Sequence, residues 1–356
     1  MRYATHFCGM GGACWGLEQA GLSCALAIDN DGDGPCIETR EKNIGDGKGL
    51  RMDIRQYFDG GTRKEEHGKD LFLLWTSPPC KRFSFASGAP GDPAMENLYR
   101  ESLRFAEWAR PKFVVMENVK GIIKHEAQAK VSGRKGKISE IRADFEGIGY
   151  GVEWQVLNAS RFGCAQTRER VIFVASRDSR RGLIPRVDDP EWVRFSDIRE
   201  RGKAETCLGG ESYRTMNEKL TRLIRRHNAF RIRIIGLDRD RGGRDDFMPT
   251  ITCGFGGGIT RKKCAVVDKV RAKGISVAFL RHPTLLEAVR AQGFPDKWMA
   301  NLPSNASLAW NMVGNAVPSP VAKAVAEHLL KVDRGEDPPH MPPYGLPEPP
   351  PEVIWE

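Results

Sequence analysis

Residues 3–30 read YATHFCGMGGACWGLEQAGLSCALAIDN. A short apolar run, Tyr3–Phe7, gives way to the turn Cys8-Gly9-Met10-Gly11-Gly12. A helix-length amphipathic stretch follows over Gly12–Ala20. A second apolar run, Cys24–Ile28, then ends in Asp29-Asn30. Strand, glycine turn, helix and strand make a βαβ pattern, which calls for a mostly parallel sheet with helices on its faces. Further strands are predicted at Leu71–Thr76, Phe113–Glu117, Val152–Asn158 and Val171–Ala175. Helical patterns lie at Met95–Ala109 and Ile138–Ile148. Ligands of such sheets bind outside the carboxyl ends of the strands. Gly9–Gly12, Asp29, Asp53, Pro78–Cys80 and Glu117–Asn118 all fall there.

The pattern weakens after Arg177. To about Ser276 the chain is rich in arginine and glycine, with strand-like pieces at Phe230–Ile235, Thr250–Cys253 and Ala265–Val267. Helical periodicity resumes at Thr284–Gln292 and Pro320–Leu330. From Asp333 a proline-rich tail reads as extended or disordered.

Composition narrows the function. The 356 residues carry 55 Lys+Arg against 46 Asp+Glu, a net charge of +9. This favours a polyanionic partner without separating nucleic acid from a membrane surface. No apolar run reaches the length of a bilayer span, and the N-terminus lacks the apolar core of a signal peptide, so a cytoplasmic protein is expected. Nine cysteines are scattered with no CxxC pair. No metal site is expected, and an odd count in a reducing compartment argues against a disulfide framework.

Four groups of residues bear on chemistry. The glycine turn with Asp29 some twenty residues on suits an adenosine-containing cofactor; a tight turn plus a solvated aspartate would look the same. Thr76-Ser77-Pro78-Pro79-Cys80 ends a strand. Its two prolines make either a rigid seat for a thiolate nucleophile or a structural turn over a buried thiol. Glu117 ends the apolar run Phe113–Met116, where a carboxylate needs a partner or a task. Gln166, Arg168 and Arg170 alternate ahead of Val171–Ala175, so they share one face.

In this order, these pieces resemble the DNA (cytosine-5)-methyltransferase family. Arg281–Asp296 (RHPTLLEAVRAQGFPD) is similar to the family's late helix motif, and Val313–Pro318 (VGNAVP) to its final motif. The resemblance spans roughly 3–175 and 280–330. It implies an α/β fold: a Rossmann-like class I S-adenosylmethionine-dependent methyltransferase with a smaller target-recognition domain. Residues 1–177 would be the catalytic and cofactor-binding domain, and 178–276 the target-recognition region. Residues 277–332 would hold the late motifs and a helix returning to the catalytic domain, and 333–356 the tail.

The resemblance also implies roles. Phe7 would pack on the adenine, Gly9, Gly11 and Gly12 would shape the methionine side, and Asp29 would take the ribose hydroxyls. Asp53 and Ile54 would contact the adenine, and Pro79 and Asn315 would complete the pocket. Cys80 would add to carbon 6 of cytosine, Glu117 would hold N3, and Arg168 and Arg170 would support the base and Glu117. Double-stranded DNA would be the partner, with the target base flipped out and the segment Lys81–Tyr99 closing over it. Lys81, Ser84, Gln166 and Thr250 are candidate DNA contacts, and the arginines of 177–186, 222–233, 239–244 and 261–263 are candidate phosphate clamps. Such an enzyme would act as a monomer on DNA in a bacterium or phage host, associated with the nucleoid, with a cognate restriction endonuclease as a candidate partner.

Three positions depart from the family. Asp29 stands for the usual glutamate, Leu285-Leu286 for Pro-Arg, and Lys81 for the glutamine after the cysteine. Lys81 leaves open a variant acting on a modified base or with a modified donor. Two further readings compete: an RNA cytosine methyltransferase of the same fold, and a non-catalytic DNA-binding relative.

Overall fold

The computed structural model describes residues 1–32, 34–60, 64–79, 97–200, 233–235, 248–251, 264–272, 275–281 and 283–341. The first half runs β1 (Arg2–His6), α1 (Gly12–Gln19), β2 (Ser23–Asp29), α2 (Cys36–Ile44), β3 (Gly49–Arg51), α3 (Gln56–Asp59), α4 (Glu65–Gly68) and β4 (Leu71–Thr76). It continues through α5 (Tyr99–Ala109), β5 (Phe113–Val119), α6 (Gly121–Val131), α7 (Lys137–Gly147), β6 (Gly151–Asn158), β7 (Gln166–Thr167) and β8 (Glu169–Ser176).

Seven strands form one sheet in the order β3-β2-β1-β4-β5-β8-β6. β1 to β5 are parallel, and β8 runs antiparallel between β5 and β6. The order reverses between β1 and β4, and a crevice outside the strand ends opens at such a reversal. Both faces are covered, which is why β4, Leu-Phe-Leu-Leu-Trp-Thr, is buried along its whole length. On one face Leu73, Trp75 and Val115 meet α1 and the last helix, α12 below, through Leu17, Val325 and Leu329. On the other, Leu74, Val114 and Met116 meet α5 and α7 through Phe105, Ile141 and Phe145.

The second half comprises α8 (Phe195–Ile198), β9 (Arg233–Ile235), β10 (Met248–Pro249), β11 (Cys264–Ala272), β12 (Ile275–Arg281), α9 (Leu285–Ala291), α10 (Lys297–Ala300), α11 (Ala306–Asn315) and α12 (Ser319–Asp333). β12, β11 and β9 form a small separate sheet, while β10 pairs with β7. A third core unites Met10, Phe195, Met248, Ile251, Val289, Trp298 and Val313. Among the described residues no helix is long and apolar enough to cross a membrane.

The structure differs from the sequence reading in several places. Phe7 leaves β1 because its φ of 55° turns the chain into the left-handed region. α2 and β3 have no counterpart in the sequence pattern. α2 buries Thr39, Arg40 and Asn43 beside Cys36 and Ile37, so it has no apolar stripe to announce it. Gly121–Val131 form helix α6, which the sequence pattern did not mark. Buried Glu126 reaches from it to accept Ile138 N–H at 2.8 Å and cap α7. β12 crosses residue 276, the expected end of the recognition region, and continues to Arg281. The tail begins ordered, with Met341 N–H donating to Ile184 O at 2.8 Å.

Candidate active site

Phe7 with the glycine turn, Asp29, Pro78–Pro79 and Glu117–Asn118 lie towards the carboxyl ends of β1, β2, β4 and β5. After β1 the chain turns through three left-handed residues, Phe7, Gly9 and Gly11 (φ 55°, 53° and 100°). Asp29 closes this turn at the end of β2. Its Oδ2 accepts Gly9 N–H at 2.8 Å and its Oδ1 accepts Asp31 N–H at 2.8 Å. A carboxylate offers about four lone-pair sites, and these two bonds fix which way they point. A methylene of side-chain length is thus exchanged for a fixed carboxylate, which bears on its departure from glutamate.

The floor of the turn is the C-terminal segment. A Cβ on Gly12 would stand 2.1 Å from Val317 O, and one on Gly16 would stand 2.2 Å from Ser319 O. Only glycine permits this backbone-to-backbone approach, so α1 and the segment entering α12 close on each other. Asn315, at the end of α11, is exposed beside this closure. Behind the turn lies Arg40, fully buried, whose guanidinium donates to Cys14 Sγ at 3.4 Å and to both oxygens of Asp46 at 2.7 Å. Nothing in the sequence pattern marked Arg40. An aromatic ring, an oriented carboxylate and an exposed amide around an open glycine turn fit an adenosine-bearing cofactor.

Asp53 and Ile54 stand differently from each other. Asp53 chelates the Arg55 guanidinium, which holds its carboxyl below the usual range, and Ile54 is buried in the core. Asp29, Asp31 and Cys36 cluster closely enough to suggest a cation, but Asp31 Oδ1 already accepts Ile37 N–H at 2.9 Å.

β4 delivers Ser77, Pro78 and Pro79; Cys80, Lys81 and Ser84 lie outside the described residues. Pro78 and Pro79 line a small cleft with Tyr99, Asn118 and Lys137. On β5, alternation sends Asn118 to this cleft and Glu117 to the opposite side. There Glu117 Oε1 meets Arg170 Nε at 2.8 Å, with the two side chains 12% and 16% exposed.

Arg168 and Gln166 do not join that pair. Arg168 is buried and donates to Ile251 O at 2.8 Å and Gly314 O at 2.9 Å. Gln166 is fully buried, donating to Gln292 Oε1 at 2.7 Å, while Gln292 donates to Val313 O at 2.7 Å. These side chains staple β7, the 248–251 segment and the late motifs together. Gln166 is thus buried and hydrogen-bonded to protein groups on both ends of its amide. Thr250 Oγ likewise donates to Thr167 O at 2.8 Å. Within 177–186, Arg177 and Arg180 bond to backbone carbonyls of the fold. They lie by the opposite end of the sheet, where Arg177 donates to Arg110 O and Arg180 to Val332 O, each at 2.7 Å. The candidate clamps at 239–244 and 261–263, and those of 222–233 up to Arg231, lie outside the described residues.

Comparison with known proteins places this arrangement. Residues 1–331 match the family described as C-5 cytosine-specific DNA methylase. The type II methyltransferase M1.HphI of Haemophilus parahaemolyticus is 26% identical over 347 residues, covering 94% of this chain and 88% of its own. The type II methyltransferase M.NgoMIV of Neisseria gonorrhoeae is 26% identical over 338 residues, covering 92% and 97%. In fold, the Dnmt2 methyltransferase of S. pombe superposes with a TM-score of 0.63 at 17% identity, covering 93% of this chain and 99% of its own. With the family matched from the first strand to the last helix, the chain belongs to the C-5 cytosine-specific DNA methylases, enzymes that transfer a methyl group from S-adenosylmethionine to carbon 5 of cytosine in DNA.

Proposed function

We propose that Cys80 is the nucleophile, Glu117 and Arg170 the groups that hold the base, and Phe7–Gly12 with Asp29 the cofactor cradle. The Glu117–Arg170 pair carries this reading. It puts an oriented carboxylate at the end of β5, next to the strand that leads to Cys80. Carbon 5 of cytosine is a poor nucleophile. Addition of the Cys80 thiolate to carbon 6, while N3 is held or protonated by Glu117, turns the ring into an enamine that can attack a methyl group. The cofactor, when bound, supplies that electrophilic methyl. Arg170 keeps the glutamate aimed at the ring edge. Loss of the carbon-5 proton then lets the thiolate leave.

Residues 178–276 would supply target recognition, with 248–251 fastened to β7 by Arg168 and Gln166. A monomer on duplex DNA, marking sites that a cognate endonuclease would otherwise cut, follows from the type II relatives. The test is Cys80→Ser with tritiated S-adenosylmethionine and unmethylated duplex DNA of mixed sequence. Methyl transfer should fall by about 10³-fold or more while duplex binding persists. DNA carrying 5-fluorocytosine should trap the wild-type chain covalently, since fluorine cannot leave as a cation, and should not trap the variant. A serine variant with normal turnover refutes the nucleophile.

A further inference from the structure

Three buried polar side chains tie the ends of β1 and β4 to helix α5. His6 is the last residue of β1, Thr76 is the last of β4, and they are paired in register. Ser102, from α5, places its Oγ 2.8 Å from Thr76 Oγ1 and 3.0 Å from His6 Nδ1. All three residues are 0% exposed. The His6 ring stands edge-on to Phe105 at 4.6 Å, and its Nε2 has no hydrogen-bond partner among the described residues. Burial lowers the His6 pKa to about 3, so the ring is neutral at neutral pH. As core filling this is a poor choice. A leucine would bury more apolar surface and leave no nitrogen unsatisfied.

The location explains the choice. Phe7 and the cofactor turn begin one residue after His6. Ser77-Pro78-Pro79 and then Cys80 follow Thr76, and Ser77 N–H donates to His6 O at 3.2 Å. α5 is the helix that follows the 80–96 segment. Methyl transfer needs the methyl donor and carbon 5 in line. In the function proposed above the donor is held after β1 and Cys80, which attacks the base, follows β4, so the spacing of these strand ends bears on that alignment. Sheet hydrogen bonds fix their separation only within the sheet plane. The hydroxyl bridge adds a third anchor on one face, and it is uncharged and buried, so neither salt nor pH near neutrality loosens it.

We propose that His6, Ser102 and Thr76 are positioning residues that hold the cofactor turn and the Pro-Pro-Cys turn at reacting distance. This rests on the assignments of Cys80 and of the Phe7–Gly12 cradle made above.

Ser102→Ala removes both bridging bonds with little change in volume. Its single-turnover methyl transfer, measured with tritiated S-adenosylmethionine and unmethylated duplex DNA of mixed sequence, should fall about ten- to a hundred-fold. KM for cofactor and DNA should stay within about two-fold. Ser102→Thr should restore the rate. His6→Asn, which retains a polar atom near the Nδ1 position, should outperform His6→Leu. Thermal midpoints and circular dichroism give the folded fraction for each. Wild-type rates in both Ser102→Ala and His6→Leu, or rates that drop only in step with the folded fraction, overturn the proposal. Cys80→Ser assayed alongside separates the two readings: if it stays active, the nucleophile assignment fails whatever the Ser102 variants do.

Discussion

At the scale of single residues, the sequence announced charged and nucleophilic groups but not where they turn. Alternation put Gln166, Arg168 and Arg170 on one face; it did not show that Arg170 pairs with Glu117. Arg168 and Gln166 are claimed by carbonyls and an amide from residues 251, 291, 292 and 314, far along the chain and invisible to a local pattern. His6 was legible only as one more letter in a strand. It also has a consequence for acid stability. Its pKa is depressed from 6.5 to about 3 by burial, so the unfolded chain takes up a proton the native state refuses. The stability this confers is complete above about pH 6.5 and declines as pH falls towards 3, on the order of 5 kcal/mol in all. Urea midpoints at pH 7 and pH 4.5 should therefore differ less for His6→Asn than for the wild type. Equal differences would show that His6 protonates in the folded protein.

At the scale of elements, strands with two buried faces were easy to read, because a short continuous apolar run suits little else in a sheet covered by helices. Helices supported by polar networks were not. α2 is held by Arg40 between Cys14, Cys24 and Asp46, and by Thr39 and Asn43 against Asn301; these residues fall at helical spacing but are polar, so no apolar stripe marks the helix. The late motif was better signposted, since Thr284 and Glu287 form a capping box that fixes the start of α9. The most constrained joint is α1 against the segment entering α12. Gly12→Ala should force Val317 aside, costing about 1–3 kcal/mol, and should weaken cofactor binding by widening the floor of the turn. Thermal melting and titration calorimetry with S-adenosylmethionine would check both. An unshifted midpoint with unchanged affinity would mean the two segments separate freely.

At the scale of the molecule, the parallel sheet with its reversal between β1 and β4 was implied by the βαβ pattern. The antiparallel insertion of β8 between β5 and β6 was not, because no sequence spacing distinguishes it. Residues 178–276 stood out in the sequence by basic composition alone, and β12 runs across residue 276 to Arg281. Net charge acts at this scale too. With an excess of +9, affinity for duplex DNA should fall steeply as salt rises, the log–log slope growing by about 0.9 per phosphate neutralised. Binding measured from about 50 to 200 mM salt tests this, and a flat response would rule out a backbone-driven complex.

The closure of Gly12 on Val317 has a further meaning for how the protein is made. The cradle is assembled from the first strand and nearly the last helix, so no partly synthesised chain possesses it. At about 5–20 residues per second, translation leaves the nascent polypeptide without a cofactor site for tens of seconds. With the cofactor cradle proposed above, enzyme activity would begin only after residues near 317 have cleared the ribosome, and a message cut short upstream of them would yield a protein unable to hold the methyl donor or mark DNA.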